Sequence, residues 1–393
     1  MIDSMNENKL HPHPDNCTGC GVCSCVCPTK AVSLSKDQEG FWFPKIDKIL
    51  CKECGICEKS CHMRQVIKSH NFSDYKEFVF AAYSKNTEFL KTASSGGVFG
   101  VLAEHIIKKG GCVYGAIQTD IFSVEHRCAS TSEELGKMKK SKYLQSSTSD
   151  VFESVEKNLK NNRNVFFSGT ACQIAALLTY LRKDYENLLT CDVVCHGVPS
   201  NELFRQYIKE LEKKYKSNAV NIVFRDKSKG WNNNHITISF ENGKIISEKS
   251  NEQFFHKAYL MGLSCRVSCG TCPYATVPRL SDITLADFWK YDGRIRAENN
   301  NHGISLVVCN TIAGTQVFEE ITSELTVDKV TLEEALASCR HLGNKPLEHP
   351  NRKMFFREAK QNSCIATLKK YTKSPLSIRL VGGVKKCVKL ILS

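Results

Sequence analysis

The chain has 393 residues, a formal net charge of +13, and ordinary hydrophobic and charged contents of 41% and 24%. That is room for two or three domains with real cores, and it excludes a small disulfide-stapled scaffold, wholesale disorder and a fibrous repeat. Eight of the positive charges fall in residues 359–393, which hold no acid, so the other 358 residues carry only +5 and no nucleic-acid partner is expected.

The abnormal count is 21 cysteines. The N-terminal MIDSMNENKLHPHPDN has no apolar signal-like stretch, and many of the cysteines sit in tight runs. Metal or cluster ligation in a reducing, cytoplasmic compartment is therefore expected rather than disulfides. Residues 1–70 hold nine of them, and CTGCGVCSCVCPTKAV (17–32) repeats its cysteine spacing in CKECGICEKSCHMRQV (51–66), an internal duplication. Between the halves, VSLSKDQEGFWFPKID reads as a short hairpin turning at Asp37-Gln38-Glu39-Gly40.

From residue 78 the pattern alternates strand and helix. FVFAAYS, CVYGAIQT, SVEHRCAS, NVFFSG and LLTCDVVCHG read as strands, and residues 94–110, 150–162, 170–183 and 201–216 as helices. Later strands are AVNIVFRDK, HITISFENGKIISEKS with an Asn242-Gly243 turn, and SLVVCNT. The expected architecture is an α+β ferredoxin-like dicluster domain followed by an α/β domain with a mixed sheet. The boundaries are 1–70, 75–345, and a basic tail over 346–393. No apolar run is long enough to span a bilayer. The tail's PLSIRLVGGVKKCVKLILS reads either as a peripheral contact with the inner face of an anionic membrane or as a packed or frayed terminal helix.

Each C-x2-C-x2-C-x3-C run suits a pair of 4Fe-4S cubes, because three thiolates wrap one cube and the last serves the other. That assigns Cys17, Cys20, Cys23 and Cys61 to one cluster, and Cys51, Cys54, Cys57 and Cys27 to the second. Pro28 follows Cys27 as the pattern asks, whereas His62 stands where a second proline would follow Cys61. Cys25 is surplus and reads as a small buried hydrophobe. Paired zinc sites are the alternative, but zinc ligand pairs are usually separated by longer intervals. A third set, Cys265, Cys269 and Cys272, needs a fourth thiolate: Cys195 first, then Cys191 or Cys172. The alternative there is a zinc knot or idle thiols.

Ser94-Ser95-Gly96-Gly97 and Ser168-Gly169-Thr170 each enter a helix, where free amides could hold a phosphate, although such residues also simply cap helices. His105, His126 and His235 lack metal-ligand spacing and read as structural. Clusters move single electrons while organic substrates change by hydride, so a flavin between them is expected.

Six segments in order carry a resemblance: SSGGVFGVL (94–102), KSKYLQS (140–146), FFSGTACQIAAL (166–177), CDVVCHGVPS (191–200), FRDKSKGW (224–231) and SCGTCPYATVPRLSDITLADFW (268–289). With the ferredoxin repeats they resemble the coenzyme F(420) hydrogenase/dehydrogenase beta-subunit family, in its bacterial form with an N-terminal 2x4Fe-4S ferredoxin domain. The resemblance implies an α/β domain binding FAD and a third 4Fe-4S cluster, and hydride exchange with a deazaflavin coenzyme or another organic substrate. Carried over, Ser95, Gly96, Gly97, Lys142, Tyr143, Gly169, Thr170 and Gln173 line the flavin, and Cys195, Cys265, Cys269 and Cys272 hold the third cluster. This chain has Ala171 where the family has proline, and Ala286 where it has glycine before Asp-Phe-Trp. The implied function is an iron–sulfur flavoprotein oxidoreductase served by a redox partner protein or small electron carrier. The competing reading is a relay subunit without its own substrate, serving a partner enzyme such as one of surface polysaccharide synthesis.

Overall fold

The structure is a computed structural model that describes residues 16–68 and 73–373. Its N-terminal part is built around the hairpin of β1 (Val32–Lys36) and β2 (Trp42–Ile46), with Val32 opposite Ile46. The Asp37 carboxylate accepts from the amides of Glu39 and Phe41 at 2.9 and 2.8 Å and so makes the turn itself. On either side lie one-turn helices, Val22–Cys25 and Ile56–Lys59, each entered through a left-handed glycine, Gly21 at φ 82° and Gly55 at φ 71°. Two residues before each, Gly19 and Glu53 are also left-handed, at φ 67° and 52°, so the duplication seen in sequence is repeated dihedral by dihedral.

The remaining strands are β3 (Val79–Ser84), β4 (Cys112–Asp120), β5 (Ser123–Ala129), β6 (Ser146–Ser147), β7 (Val165–Thr170), β8 (Leu188–Val193), β9 (Ala219–Asp226), β10 (His235–Phe240), β11 (Ile245–Lys249), β12 (Ile283–Asp287), β13 (Ser305–Cys309) and β14 (Leu325–Lys329). Nine of them form one mixed sheet in the order β14-β3-β13-β12-β8-β7-β4-β5-β6. Its middle, β12-β8-β7-β4, is parallel, and β13, β3, β14 and β5 join antiparallel. Central strands buried on both faces read as continuous apolar runs, which is why NVFFSG and SLVVCNT are recognisable. Phe166 faces the core beneath helix Val98–Lys108, while Val165 and Phe167 face the core with helix Ala171–Leu181.

A second, three-stranded antiparallel sheet, β11-β10-β9, packs with helix Asn201–Tyr215 in another core. Two C-terminal helices, Arg352–Gln361 and Cys364–Thr372, bury Phe355, Phe356, Ala359, Cys364 and Leu368 in that same core. The segment after residue 345, read from sequence as a tail, is thus folded as far as Thr372. Its apolar positions are few and its lysines and arginines many, which masks the helical period. The proposed membrane contact of residues 375–393 lies outside the described residues. Among the described residues no helix is long and apolar enough to cross a membrane.

Candidate iron–sulfur and flavin site

The N-terminal thiols come within electrostatic reach of one another across the two repeats. Cys17, Cys20 and Cys23 each lie within electrostatic reach of Cys61, and Cys57 within reach of Cys27. Cys17, Cys20, Cys23 and Cys61 share one cavity with Gly19, Gly21 and His62. Cys23, Cys51 and Cys57 pack around buried Cys27, while Cys54 is exposed. The amide two residues after a thiol donates to it in both repeats, Gly19 to Cys17 and Glu53 to Cys51, each at 3.4 Å. Burial alone would raise the Cys27 thiol, yet bonds from the Thr29 hydroxyl and the amides of Val32, Ala31 and Thr29 hold it below its usual value.

Among the alternatives for the third set, Cys195 reaches Cys269 and Cys272, and Cys265 reaches Cys195. Cys191 is buried in the main sheet core instead, facing Asp192, Asp282 and Cys309. Cys172 lies between sets, reaching Cys272 and Cys195 on one side and Cys20 on the other. The loop before this set repeats the same device: the Gly197 amide donates to Cys195 Sγ at 3.3 Å. Gly197 is at φ 108°, and a Cβ there would lie 3.2 Å from Cys265 Sγ, so only glycine lets the loop wrap this closely. Burial pushes Cys20, Cys195 and Cys265 up to about 12. Such thiols give up their protons only to a positive partner, and sets of four thiols with amide donors are the donor chemistry of a 4Fe-4S cube.

His62, where a proline was expected, is fully buried. Its ring nitrogens lie 3.1 Å from Thr18 Oγ1 and 3.0 Å from Tyr274 Oη, and Tyr274 donates to the His62 carbonyl at 2.9 Å. It therefore joins the first thiol loop, the end of the second repeat, and the loop of the third set. Arg352 acts similarly. Its Nε donates to the Cys265 carbonyl at 2.6 Å and its Nη atoms grip Glu39 in the hairpin.

Of the residues expected at the flavin, Lys142 and Tyr143 lie within a strap, 140–149, that bonds to Ser94, the neighbour of Ser95, and to Gln173. Ser141 donates to Ser94 at 2.7 and 2.9 Å, and Tyr143 Oη accepts from Arg225 at 3.4 Å. Gln145 donates to the carbonyls of Thr18 and Gly19 at 3.1 and 3.3 Å, and Thr148 to that of Cys20 at 3.0 Å. Cys25, expected as a small buried hydrophobe, is half-buried against an apolar core and also donates to Ser149 O at 3.2 Å. Gln173 donates to Ser146 O at 3.2 Å, which places Gly169, Thr170 and Gln173 at the far end of the strap. Ser95, Gly96, Gly97, Lys142 and Tyr143 lie toward the near end. There, several polar groups are already engaged: Ser95 Oγ donates to Ile304 O, and Lys142 Nζ to the carbonyls of Lys137, Met138 and Lys139. Thr170 and Gln173 form a capping box. Burial lowers Lys142 to about 7.

Sequence reading missed the group that organises this near end. Arg225 pairs with Asp287 through two bonds of 2.9 and 3.1 Å and donates to Ser94 O at 3.1 Å. Trp231 donates to Asp287 at 3.0 Å and stacks on Trp289 at 4.2 Å. Lys227 binds the carbonyls of Leu90, Ser95 and His302. FRDKSKGW and ADFW contain these residues, but only the fold sets them side by side. Arg225 Nε and His256 Nε2, which flank Tyr143, are buried without partners. Orphaned polar atoms of this kind suit a bound polar group, so the residues present fit one here.

Repeated thiol loops on a mixed α/β scaffold define an iron–sulfur protein of the oxidoreductase class. A 4Fe-4S binding domain model matches residues 11–33. Two further models, for the N-terminal and C-terminal parts of the Coenzyme F420 hydrogenase/dehydrogenase beta subunit, match residues 79–153 and 162–334 respectively. Together these two span well over half of the chain, which belongs to that family. Among chains of solved structures that match is one from the F420-reducing NiFe hydrogenase complex of Methanosarcina barkeri, at 16% identity and a TM-score of 0.48, covering 75% of this chain and 97% of that one. No curated protein matches.

Proposed function

We propose that the chain is a cytoplasmic iron–sulfur flavoprotein oxidoreductase. Residues 1–70 would hold one cluster on Cys17, Cys20, Cys23 and Cys61 and another on Cys27, Cys51, Cys54 and Cys57. The α/β module beginning near residue 75 would hold a third on Cys195, Cys265, Cys269 and Cys272, and FAD along the strap, against Ser95, Tyr143, Gly169 and Thr170. When bound, the clusters would supply single-electron transfer and the flavin its conversion to hydride chemistry. The substrate class is an organic hydride acceptor or donor, with a deazaflavin coenzyme suggested by the family.

The observation that supports this reading best is the strap itself. One ten-residue segment bonds to the first thiol loop through Gln145 and Thr148, to Arg225 through Tyr143, and to Gln173 through Ser146. The chain's own residues exclude water from the three sets to different degrees. The first and third sets each have one buried and three half-buried thiols, whereas the second includes exposed Cys54, a few residues after Ile49, 89% exposed, and Leu50. The second cluster is therefore the place for a redox partner or small electron carrier to dock.

Anaerobically purified protein is expected to contain about twelve irons with matching sulfide and one FAD. About eight irons without flavin would overturn the enzyme reading. One observation favours the second reading, a relay subunit serving another protein: Ser95, Lys142 and Thr170 already spend their polar groups on the protein.

A further inference from the structure

Arg266 follows the first ligand of the third set and is 3% exposed. Its side chain crosses to the N-terminal module. One Nη donates to the Cys17 carbonyl at 2.9 Å and the other to that of Trp42, and the guanidinium lies over Phe41 and Phe43 at 5.2 and 4.7 Å. Its field reaches Cys17 on one side, Cys269 and Cys172 on the other, and the Asp37 carboxylate of the hairpin turn. Nε is buried with no partner. Among the described residues no carboxylate pairs with it, unlike Arg225, Arg279 and Arg352, which each face an acid. The first thiol loop is shaped around it: a Cβ on Gly19 would lie 2.7 Å from Arg266 Nη2.

A buried guanidinium without an anion is costly, because carbonyls and aromatic faces return only part of its hydration. Asp37, held by the amides of its own turn, acts only at a distance, and the close negative charge that Arg266 lacks is what two thiolate-ligated clusters would bring, one on each side. We propose that Arg266 is the shared counter-charge of the first and third clusters, holding the potentials of both up together. The inference rests on the ligand sets proposed above. Reduction adds negative charge to a cluster, so a fixed positive charge beside it favours the reduced form, and one residue between two clusters moves both in the same direction. The guanidinium bonds to the first thiol loop and to the hairpin strand at Trp42, so the second cluster is the one expected to move least and serves as an internal control.

The test is an EPR-monitored redox titration of the purified holoprotein, with signals assigned from Cys20→Ser, Cys54→Ser and Cys269→Ser proteins that each lose one cluster. In Arg266→Met, the first and third clusters are expected to become harder to reduce by at least tenfold in the one-electron equilibrium, about 59 mV, with the second unmoved. Arg266→Lys, which keeps the charge, should recover at least half of the drop, and it carries the test if the Met variant fails to load iron. Unchanged potentials in a protein with three clusters, a shift in only one of the two, or an equal shift in all three would overturn the role of Arg266. Wild-type protein with no third cluster would overturn it at the level of the ligand sets instead.

Discussion

Asp192 has no exposure at all, and it accepts from Arg279 Nε at 2.8 Å and from the hydroxyls of Ser281 and Thr284 at 2.6 Å each. Replacing it with alanine leaves the Arg279 charge buried and unpaired, and urea unfolding is expected to show a loss of about 3–5 kcal/mol. His126 and His256 answer to pH. Burial lowers both to about 4, against about 6.5 in an unfolded chain. Both are neutral in the fold at pH 7, so on acidification the unfolded chain takes up protons first. From these two groups stability should fall from about pH 6.5 toward pH 4, by roughly 1.4 kcal/mol per unit for each, and they contribute no slope above pH 7. Anaerobic urea midpoints at several pH values check this, and His126→Gln should shallow the slope. At this scale the cysteines were legible because ligand spacing is itself the chemistry. Arg266, His62 and Asp287 were not, because what each does is decided by partners between 44 and more than 200 positions away in sequence.

The 140–149 strap has little regular structure beyond two residues of β6, so no periodicity announces it. Its work is done by single side chains that reach neighbouring elements. Gln145→Ala removes both bonds to the first thiol loop, and about 1–2 kcal/mol of coupling between the modules should go with them. Faster proteolysis within residues 16–68 at unchanged overall melting would show it. Gly96 shows the opposite kind of constraint. A Cβ there would run into the Ala82 carbonyl and lie 2.8 Å from the Ser305 amide, residues paired across β3 and β13. Gly96→Ala should therefore cost about 1–3 kcal/mol in urea unfolding, by wedging the helix start off the sheet. Most strands of the main sheet were readable as apolar runs. β12 was hidden within the cysteine-rich segment because ITLAD mixes its apolar positions with polar ones, buried Thr284 and half-buried Asp287, which serve the networks around Asp192 and Arg225.

Across the whole molecule, three buried side chains, His62, Arg266 and Arg352, tie the thiol loops and hairpin of the N-terminal module to the loop of the third set, beside the bonds of the strap and the packing of Val22 and Phe41 into the larger module's cores. Under the proposed ligand sets, Cys61→Ser and Cys27→Ser should each cost about four irons and remove different EPR signals: the first cluster in the former, the second in the latter. Loss of the cluster nearest in sequence instead would reverse the assignment. Alternating strands and helices revealed the architecture, but the packing of one module on the other was not visible in either alone.

Under the same proposed ligand sets, the exchange of fourth thiols between the two repeats would also dictate an order of birth. As the chain leaves the ribosome, the leading trio, Cys17 to Cys23, must wait for Cys61, whereas the trailing trio finds Cys27 already outside and closes first. The third set cannot close before Cys272 emerges, and the arginines that clasp the two modules come at residues 266 and 352. Iron loading of the N-terminal unit is thus separated in time from its docking, and the newborn protein passes through a stage in which its first thiol loop is complete but not yet clasped.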